Sequence, residues 1–390
     1  MTAPLRVAHL DHTSAGGGAE YALARMLAAG VPWRPLLLLP RGQRGGAFTA
    51  IDGRVGVRTN GVAQPAGVSG GSAATVGAAA LRLAIQALST RLHRGWRTAD
   101  IVDANTARAA AYGALAALLS RRPFVVHLRD LVDAESLGTF GFAMMSRIAL
   151  PRADGVIANS RATLLSAAPF VRSRALTAVI PSASGLSGRP STSPPVRSDG
   201  PLRVGMLARI DPWKGQSLLL EAFAVAFADG DEVLEFAGGA PFGHESHVAE
   251  LSARARALGI ADRVVFSGHV EDVPAALARW DIAVQASLRP EPLGQNVLQY
   301  LSAGVACIVA DEGGPAEWVE DGRNGTRFAP RDSAALAAAL RALAADPARR
   351  ARFGAAGPRT PGLLTDAEVV AAHADFYREV ARRPQSHTRA

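Results

Sequence analysis

Cysteine is almost absent from this 390-residue sequence: Cys307 stands alone in an apolar run, so no intramolecular disulfide can form and it reads as a small core residue. Lysine is equally scarce. Lys214 is the only one, and every other cation among the 42 Lys+Arg residues is arginine. Such one-sided usage marks Lys214 as a position that wants a compact ammonium. Long apolar runs are missing too, the longest of large aliphatics being Leu36–Leu39, which excludes a membrane-spanning helix. Met1–Leu10 alternates like a strand and lacks a signal-peptide core, so a cytoplasmic location is expected. Net charge is +8 with a pI near 10.7, but aromatics are only 6% and are not interleaved with the arginines. A nucleic-acid partner is therefore not expected, and the basic character suits an anionic lipid surface or a phosphorylated ligand better. The dinucleotide glycine spacing is absent, so NAD is not expected. His244 and His247 lack further ligand-spaced partners, so no metal site is expected either. There is no repeat of solenoid period.

What is present is 48% apolar sequence, enough for two domains with separate cores. Apolar strands alternate with helical segments: Arg6–Leu10, 35–40, 55–58, 100–104, Phe124–Leu128, 154–158 and 176–180, then 203–208, 264–266, 282–286 and Ala306–Ala310. That alternation predicts an α/β protein with parallel sheets covered by helices on both faces. Residues 186–201, rich in Ser, Pro and Gly, divide an N-terminal domain (1–185) from a C-terminal one (202–362), and 363–390 hold a final helix and tail. Residues 61–77 read as a mobile loop. The cluster Arg91, His93, Arg94, Trp96 and Arg97 closes the next helix, either as a solvated basic end or as a membrane-surface contact. Residues 137–150, with Phe140, Phe142, Met144 and Met145, read as a core-facing helix or an apolar edge for a lipid.

Candidate site residues gather after strands. Glu291, Pro292 and Gly294 precede a helix whose apolar face is Leu293, Val297, Leu298 and Leu301, with Gln295 and Gln299 opposite. A carboxylate at the mouth of a helix whose free amides attract anions suggests a sugar-diphosphate site; an ordinary strand–loop–helix unit with a solvated polar face fits the same stretch. Arg209 and Lys214, Gly268 with Val270, and the Gly313-Gly314-Pro315-Ala316-Glu317 loop follow other strands. These are the strand ends at which open parallel sheets bind ligands. In the N-terminal half, Gly17 and Gly18 precede a helix and let amides approach a phosphate or sugar, while His127, Arg129 and Asp130 end a strand.

Arg209 with Lys214, Glu291 followed eight residues on by Gln299, and the Gly313–Glu317 run together resemble the family-4 retaining glycosyltransferases, most specifically over residues 200–325. The resemblance implies the GT-B fold: two Rossmann-like parallel-sheet domains facing across a cleft, the first for the acceptor and the second for a nucleotide sugar, with the final helix crossing back to the first. It implies a UDP- or GDP-sugar donor, a glycan, lipid-linked or small-molecule acceptor, retention at the anomeric carbon, and neither metal nor separate cofactor. His127 would lie near the sugar's C6 hydroxyl and reacting centre, Arg209 and Lys214 on the diphosphate, and Glu291 on a donor hydroxyl. Gly17, Gly18, Gly268, Val270, Leu293, Gly294, Gln295, Asn296 and Gln299 would meet the donor, and Arg129 and Asp130 the acceptor. The chain departs from the family at Gln299, where a second glutamate is usual, and at Pro181–Gly185, where an Asn-Gly pair is usual. Two rivals share the donor pocket: a sugar-nucleotide epimerase of the same fold and a catalytically silent nucleotide-sugar-binding subunit.

Overall fold

Two parallel sheets carry the chain in a computed structural model that describes residues 3–43, 45–63, 73–118, 120–186, 200–240 and 245–383. The linker core 187–199, loop residues 64–72, His244 and the tail from 384 lie outside the described residues. The chain forms two units, Met1–Ser182 with Leu364–Ala390, and Ala183–Leu363.

In the first unit, β1 (Arg6–Leu10), β2 (Arg34–Pro40), β3 (Gly56–Asn60), β4 (Ile101–Ala104), β5 (Phe124–Leu128), β6 (Gly155–Ala158) and β7 (Leu176–Val179) form one sheet in the order β3-β2-β1-β4-β5-β6-β7. Strands β4, β5 and β6 are buried along their whole length, which is why they read as near-continuous apolar runs rather than alternating ones. Helices such as Ala107–Ala117 pack on this sheet through small side chains, and Val102, Phe124, Val126 and Val156 join them in one core. The order reverses between β1 and β4, which leaves a crevice beyond the strand ends at that point.

The second unit repeats the plan with β8 (Arg203–Leu207), β9 (Val233–Ala237), β10 (Val264–Gly268), β11 (Ile282–Gln285), β12 (Ala306–Ala310) and β13 (Thr326–Phe328), ordered β10-β9-β8-β11-β12-β13. Its reversal falls between β8 and β11. Gly205 in β8 has no side chain because the Trp280 indole fills that space, at 1.9 Å from where a Cβ would stand. The indole N–H in turn donates to buried Glu235 at 2.9 Å.

Several elements differ from the sequence expectation. Strands β9 and β13 are additional to those expected. Gly313–Trp318 is a short helix, not a loop. The basic cluster after residue 92 forms a separate helix, Arg94–Thr98, capped by the His93 ring, and Trp96 is buried in the core. Its indole is therefore not a surface anchor. The helix Ala134–Met144 breaks at Gly138 and continues as a wider turn, Met145–Ala149, and Met144 and Met145 are core residues. The final helix, Asp366–Arg382, is no such departure: it falls in the first unit, where the resemblance puts it, and the Tyr377 hydroxyl donates to Asp103 at 3.0 Å. Among the described residues, no helix is long and apolar enough to cross a membrane.

Candidate functional site

At the reversal of the second sheet, the turn after β8 and the loop after β11 are built against each other. Gly215 adopts φ +80°, and a Cβ there would lie 1.8 Å from the Ala286 carbonyl oxygen, so only glycine permits this approach. The Leu288 N–H donates to the Trp213 carbonyl at 2.7 Å and fastens the two segments. The consequence is a gathering of cations. Lys214 Nζ lies 4.1 Å from the Trp213 ring centroid, and the guanidinium carbons of Arg289 and Arg209 lie at 4.3 and 5.8 Å. The electron-rich indole face offsets part of their mutual repulsion. Asp211 orients Arg209, accepting from its Nε at 3.2 Å.

Glu291 completes the group. It is buried, and its Oε2 lies 2.9 Å from Lys214 Nζ, while Oε1 accepts from Ser287 Oγ and, at 3.2 Å, from Gln285 Nε2. Burial alone would raise its pKa; Lys214, then the hydrogen bonds, outweigh that and hold the carboxyl below its ordinary range. It is a preset carboxylate. Gln285 is itself fixed by accepting from the Ala310 N–H of β12 at 3.1 Å.

The loop from Glu291 to Gly294 rests on the Gly313–Trp318 helix. A Cβ on Gly313 would stand 2.6 Å from the Glu291 carbonyl oxygen, and one on Gly314 2.6 Å from that of Pro292. Instead the Gly314 N–H donates to the Glu291 carbonyl at 2.8 Å, and the Trp318 indole to that of Leu293 at 2.9 Å. Gly294, at φ +76°, opens the helix Gln295–Ser302 and aims its first amides past the same loop. The Gln295 and Asn296 side chains hold backbone, donating to Ala183 O at 2.9 Å and Leu207 O at 3.1 Å. Gln299 is half-buried, and its amide has no hydrogen bond to another described residue. Gly268, at φ +65°, ends β10, and Val270 packs against the core cluster that includes Leu293 and Leu298. Trp213, Arg289, Asp211, Ser287 and Gln285 were not among the expected site residues. The Trp213–Lys214 pair was the available signal; Arg289 is brought in only by the fold.

The first sheet has its own polar centre at its reversal. Asp11 follows β1 and accepts from the His12 N–H at 2.7 Å and from Asn105 Nδ2, at the end of β4, also at 2.7 Å. Asn105 Oδ1 accepts from Arg129 at 3.2 and 3.0 Å, and Arg129 also donates to Ser182 at 2.9 Å. Arg129 is half-buried; desolvation lowers its pKa to about 10, against the pull of Asp103, Asp11 and Glu20, so it stays charged. Asp130 lies close enough to act on Glu20 through its charge. Gly17 is ordinary extended backbone, left bare because Glu20 Oε2 stands where its Cβ would be, whereas Gly18 begins the helix and faces open space. His127 differs from the expectation of an edge residue. It sits within β5, its Nε2 is buried without a hydrogen bond among the described residues, and its ring lies 5.3 Å from His373. Burial, with Arg129 and His373 adding to it, pushes its pKa well down, so it is neutral. Asp11, His12 and Glu20 place potential ligand atoms within 4.8 Å of one another, a grouping the sequence reading did not list.

Residues 192–360 match the family model described as glycosyl transferases group 1. The chain is 31% identical over 275 residues, 64% of its length and 69% of the relative's, to the GDP-mannose-dependent alpha-(1-6)-phosphatidylinositol monomannoside mannosyltransferase of Mycolicibacterium smegmatis. It is 33% identical to the D-inositol 3-phosphate glycosyltransferase of Streptomyces avermitilis over 46% of this chain and 41% of that one. Among solved structures, that of Anabaena HepE in complex with UDP aligns at a TM-score of 0.79 and 26% identity, covering 96% of this chain and all of that one. The fold and these relationships agree: the chain belongs to the glycosyl transferases group 1.

Proposed function

We propose that the chain moves a sugar from a UDP- or GDP-sugar to the hydroxyl of a glycan, lipid-linked or small-molecule acceptor, with retention and without a metal. The observation that carries this reading is the gathering of Arg209, Lys214 and Arg289 on Trp213, beside a helix N-terminus and a preset carboxylate. In the transfer, the acceptor hydroxyl oxygen bonds to C1 as the C1–O bond to phosphate breaks, the diphosphate keeps the electron pair, and the hydroxyl proton passes to the departing phosphate oxygen. The three cations and the amides after Gly294 neutralise that charge. Glu291, ionised and braced by Lys214 and Gln285, accepts a hydrogen bond from a donor hydroxyl; with its oxygens so engaged it is not assigned as a nucleophile. Gln299 offers an acceptor and a donor to the ribose. Gly17, Gly18, Gly268 and Val270 remain backbone contacts to the donor in this reading, and Leu293, Gln295 and Asn296 shape the loop. His127 acts through its neighbour Arg129 instead of by contact. Residues 1–185 are assigned to the acceptor and 202–362 to the donor. The UDP complex of the similar Anabaena protein and the transferase names of the curated relatives support the reading. They do not favour an epimerase or a silent binding subunit. The test is a mass-spectrometric screen of nucleotide sugars against acceptors in EDTA. Glycosylated acceptor with released nucleoside diphosphate is expected; an isomerised free nucleotide sugar, or strict dependence on added metal, contradicts it.

The basic character also suits a peripheral membrane contact. The helix Ala73–Leu92 exposes Leu81, Ile85, Leu88 and Leu92, spaced as one stripe, with Arg82, Arg94 and Arg97 exposed nearby. Flotation with phosphatidylglycerol vesicles should retain the protein and lose it on Leu88→Glu, while phosphatidylcholine vesicles retain neither. Equal flotation of both proteins with both lipids would rule the stripe out.

A further inference from the structure

Glu20 has no part in the donor chemistry above, yet its placement is costly. It lies in the first turn of the Gly18–Ala28 helix, only 5% exposed, with its carboxyl near fully buried Asp11. Asp11 already uses its oxygens on the His12 and Thr13 N–H groups and on Asn105. Arg129 is the one cation acting on Glu20, and its donors go to Asn105 and Ser182. The Glu20 carboxyl takes a hydrogen bond from its own backbone N–H and, among the described residues, from no other residue. Neither Glu20 oxygen is both sealed from solvent and unbonded, so the unused capacity of this buried side chain opens to water or to a ligand.

The charges facing it decide which form it takes. From β1 comes Asp11, with His12 beside it hydrogen-bonded to Thr106 at 2.9 Å; from the end of β5 come Arg129 and Asp130. Burial, then Asp11, raise the Glu20 pKa to about 7; Asp130 adds to the rise and Arg129 opposes it. Near neutrality the carboxyl is therefore often protonated, and then both donates and accepts. A hydroxyl group needs that complement.

We infer that Glu20, backed by Asp11, Asn105 and Arg129, is a recognition residue that binds a hydroxyl of the sugar-accepting polyol. This rests on the transferase reading, which requires a hydroxyl-bearing second substrate. Gly17 belongs to the same device, since any side chain there would displace the Glu20 carboxyl.

The test uses the full chain labelled with carbon-13 at glutamate carboxyls, with the Glu20 signal assigned by its loss in Glu20→Gln. Myo-inositol, glycerol and methyl α-mannoside serve as hydroxyl probes across the pH range. At least one probe should raise the Glu20 titration midpoint and bind about tenfold more weakly at pH 8 than at pH 6. Glu20→Gln, whose amide also donates and accepts, should keep the affinity with a flat pH profile. Glu20→Ala should lose it at both pH values. A Glu20 signal unmoved by every probe overturns the inference, as does the wild-type pH profile persisting in Glu20→Gln. Tight manganese binding that broadens the Glu20 signal and excludes the probes also overturns it, by making the group a cation site. Calorimetry with UDP and GDP on the same samples separates the two readings. If neither nucleotide binds, the transferase reading fails; if one binds while Glu20 stays unmoved, only the role of Glu20 fails.

Discussion

Two buried carboxyls, Glu291 and Glu20, show how a residue's neighbours set its chemistry. Lys214 keeps Glu291 ionised, and Asp11 helps keep Glu20 protonated. Their pH signatures must therefore be opposite. The folded pKa of Glu291 is depressed, so its ion pair contributes stability above the unfolded carboxyl pKa and loses it as pH falls through the folded value. Lys214→Met leaves that carboxylate buried and unpaired, and should cost roughly 3 kcal/mol at pH 7. The deficit should shrink toward acid, because both proteins then protonate Glu291; urea denaturation across pH measures it, and a constant deficit would contradict the pairing. The folded pKa of Glu20 is raised from 4.5 to about 7, so the fold is most stable below the unfolded value and loses stability as pH rises toward 7. Glu20→Gln should accordingly raise the melting temperature at pH 8 but not at pH 5, and the reverse pattern would contradict the shift.

At the scale of elements, the loop from Glu291 to Gly294 depends on glycines for room rather than for flexibility. Gly314→Ala would press a methyl group against the Pro292 and Leu293 backbone, which cannot swing away as a side-chain tip can. It should cost about 1–3 kcal/mol and weaken nucleotide binding in the same variant. An unchanged melting temperature and affinity would mean that the loop is not held by this contact. Strand β12 was legible because buried parallel strands are written as unbroken apolar runs, β5 because its run is broken only by His127, and β1 because it alternates. The three-residue β13 carries too little pattern to register, and Gly313–Trp318 reads as a turn because its glycines mask a helix that tertiary contacts enforce. Positions were more legible than directions. His127 was correctly placed in a strand, but no local pattern reveals that its ring faces His373. Arg289 could not be read at all, because its nearness to Trp213 arises from two turns distant in sequence.

At the scale of the molecule, each sheet reverses its strand order once, and each reversal holds a polar centre: Arg209, Lys214 and Glu291 between β8 and β11, and Asp11 with Asn105 between β1 and β4. Alternation of strand and helix announces two such sheets in the sequence. The return of the final helix to the first unit came from the family resemblance, but nothing local announces the Tyr377 contact with Asp103, which links residues 274 positions apart. The account's central claim is that the reversal in the second sheet binds a nucleoside diphosphate through the cations on Trp213. Calorimetric titration of UDP and GDP into the wild type and Lys214→Met tests it most directly. One nucleotide should bind the wild type at least about thirtyfold more tightly than the variant, ~2 kcal/mol, as expected when a charged phosphate contact is lost. Equal affinity in a variant that remains folded would contradict the claim.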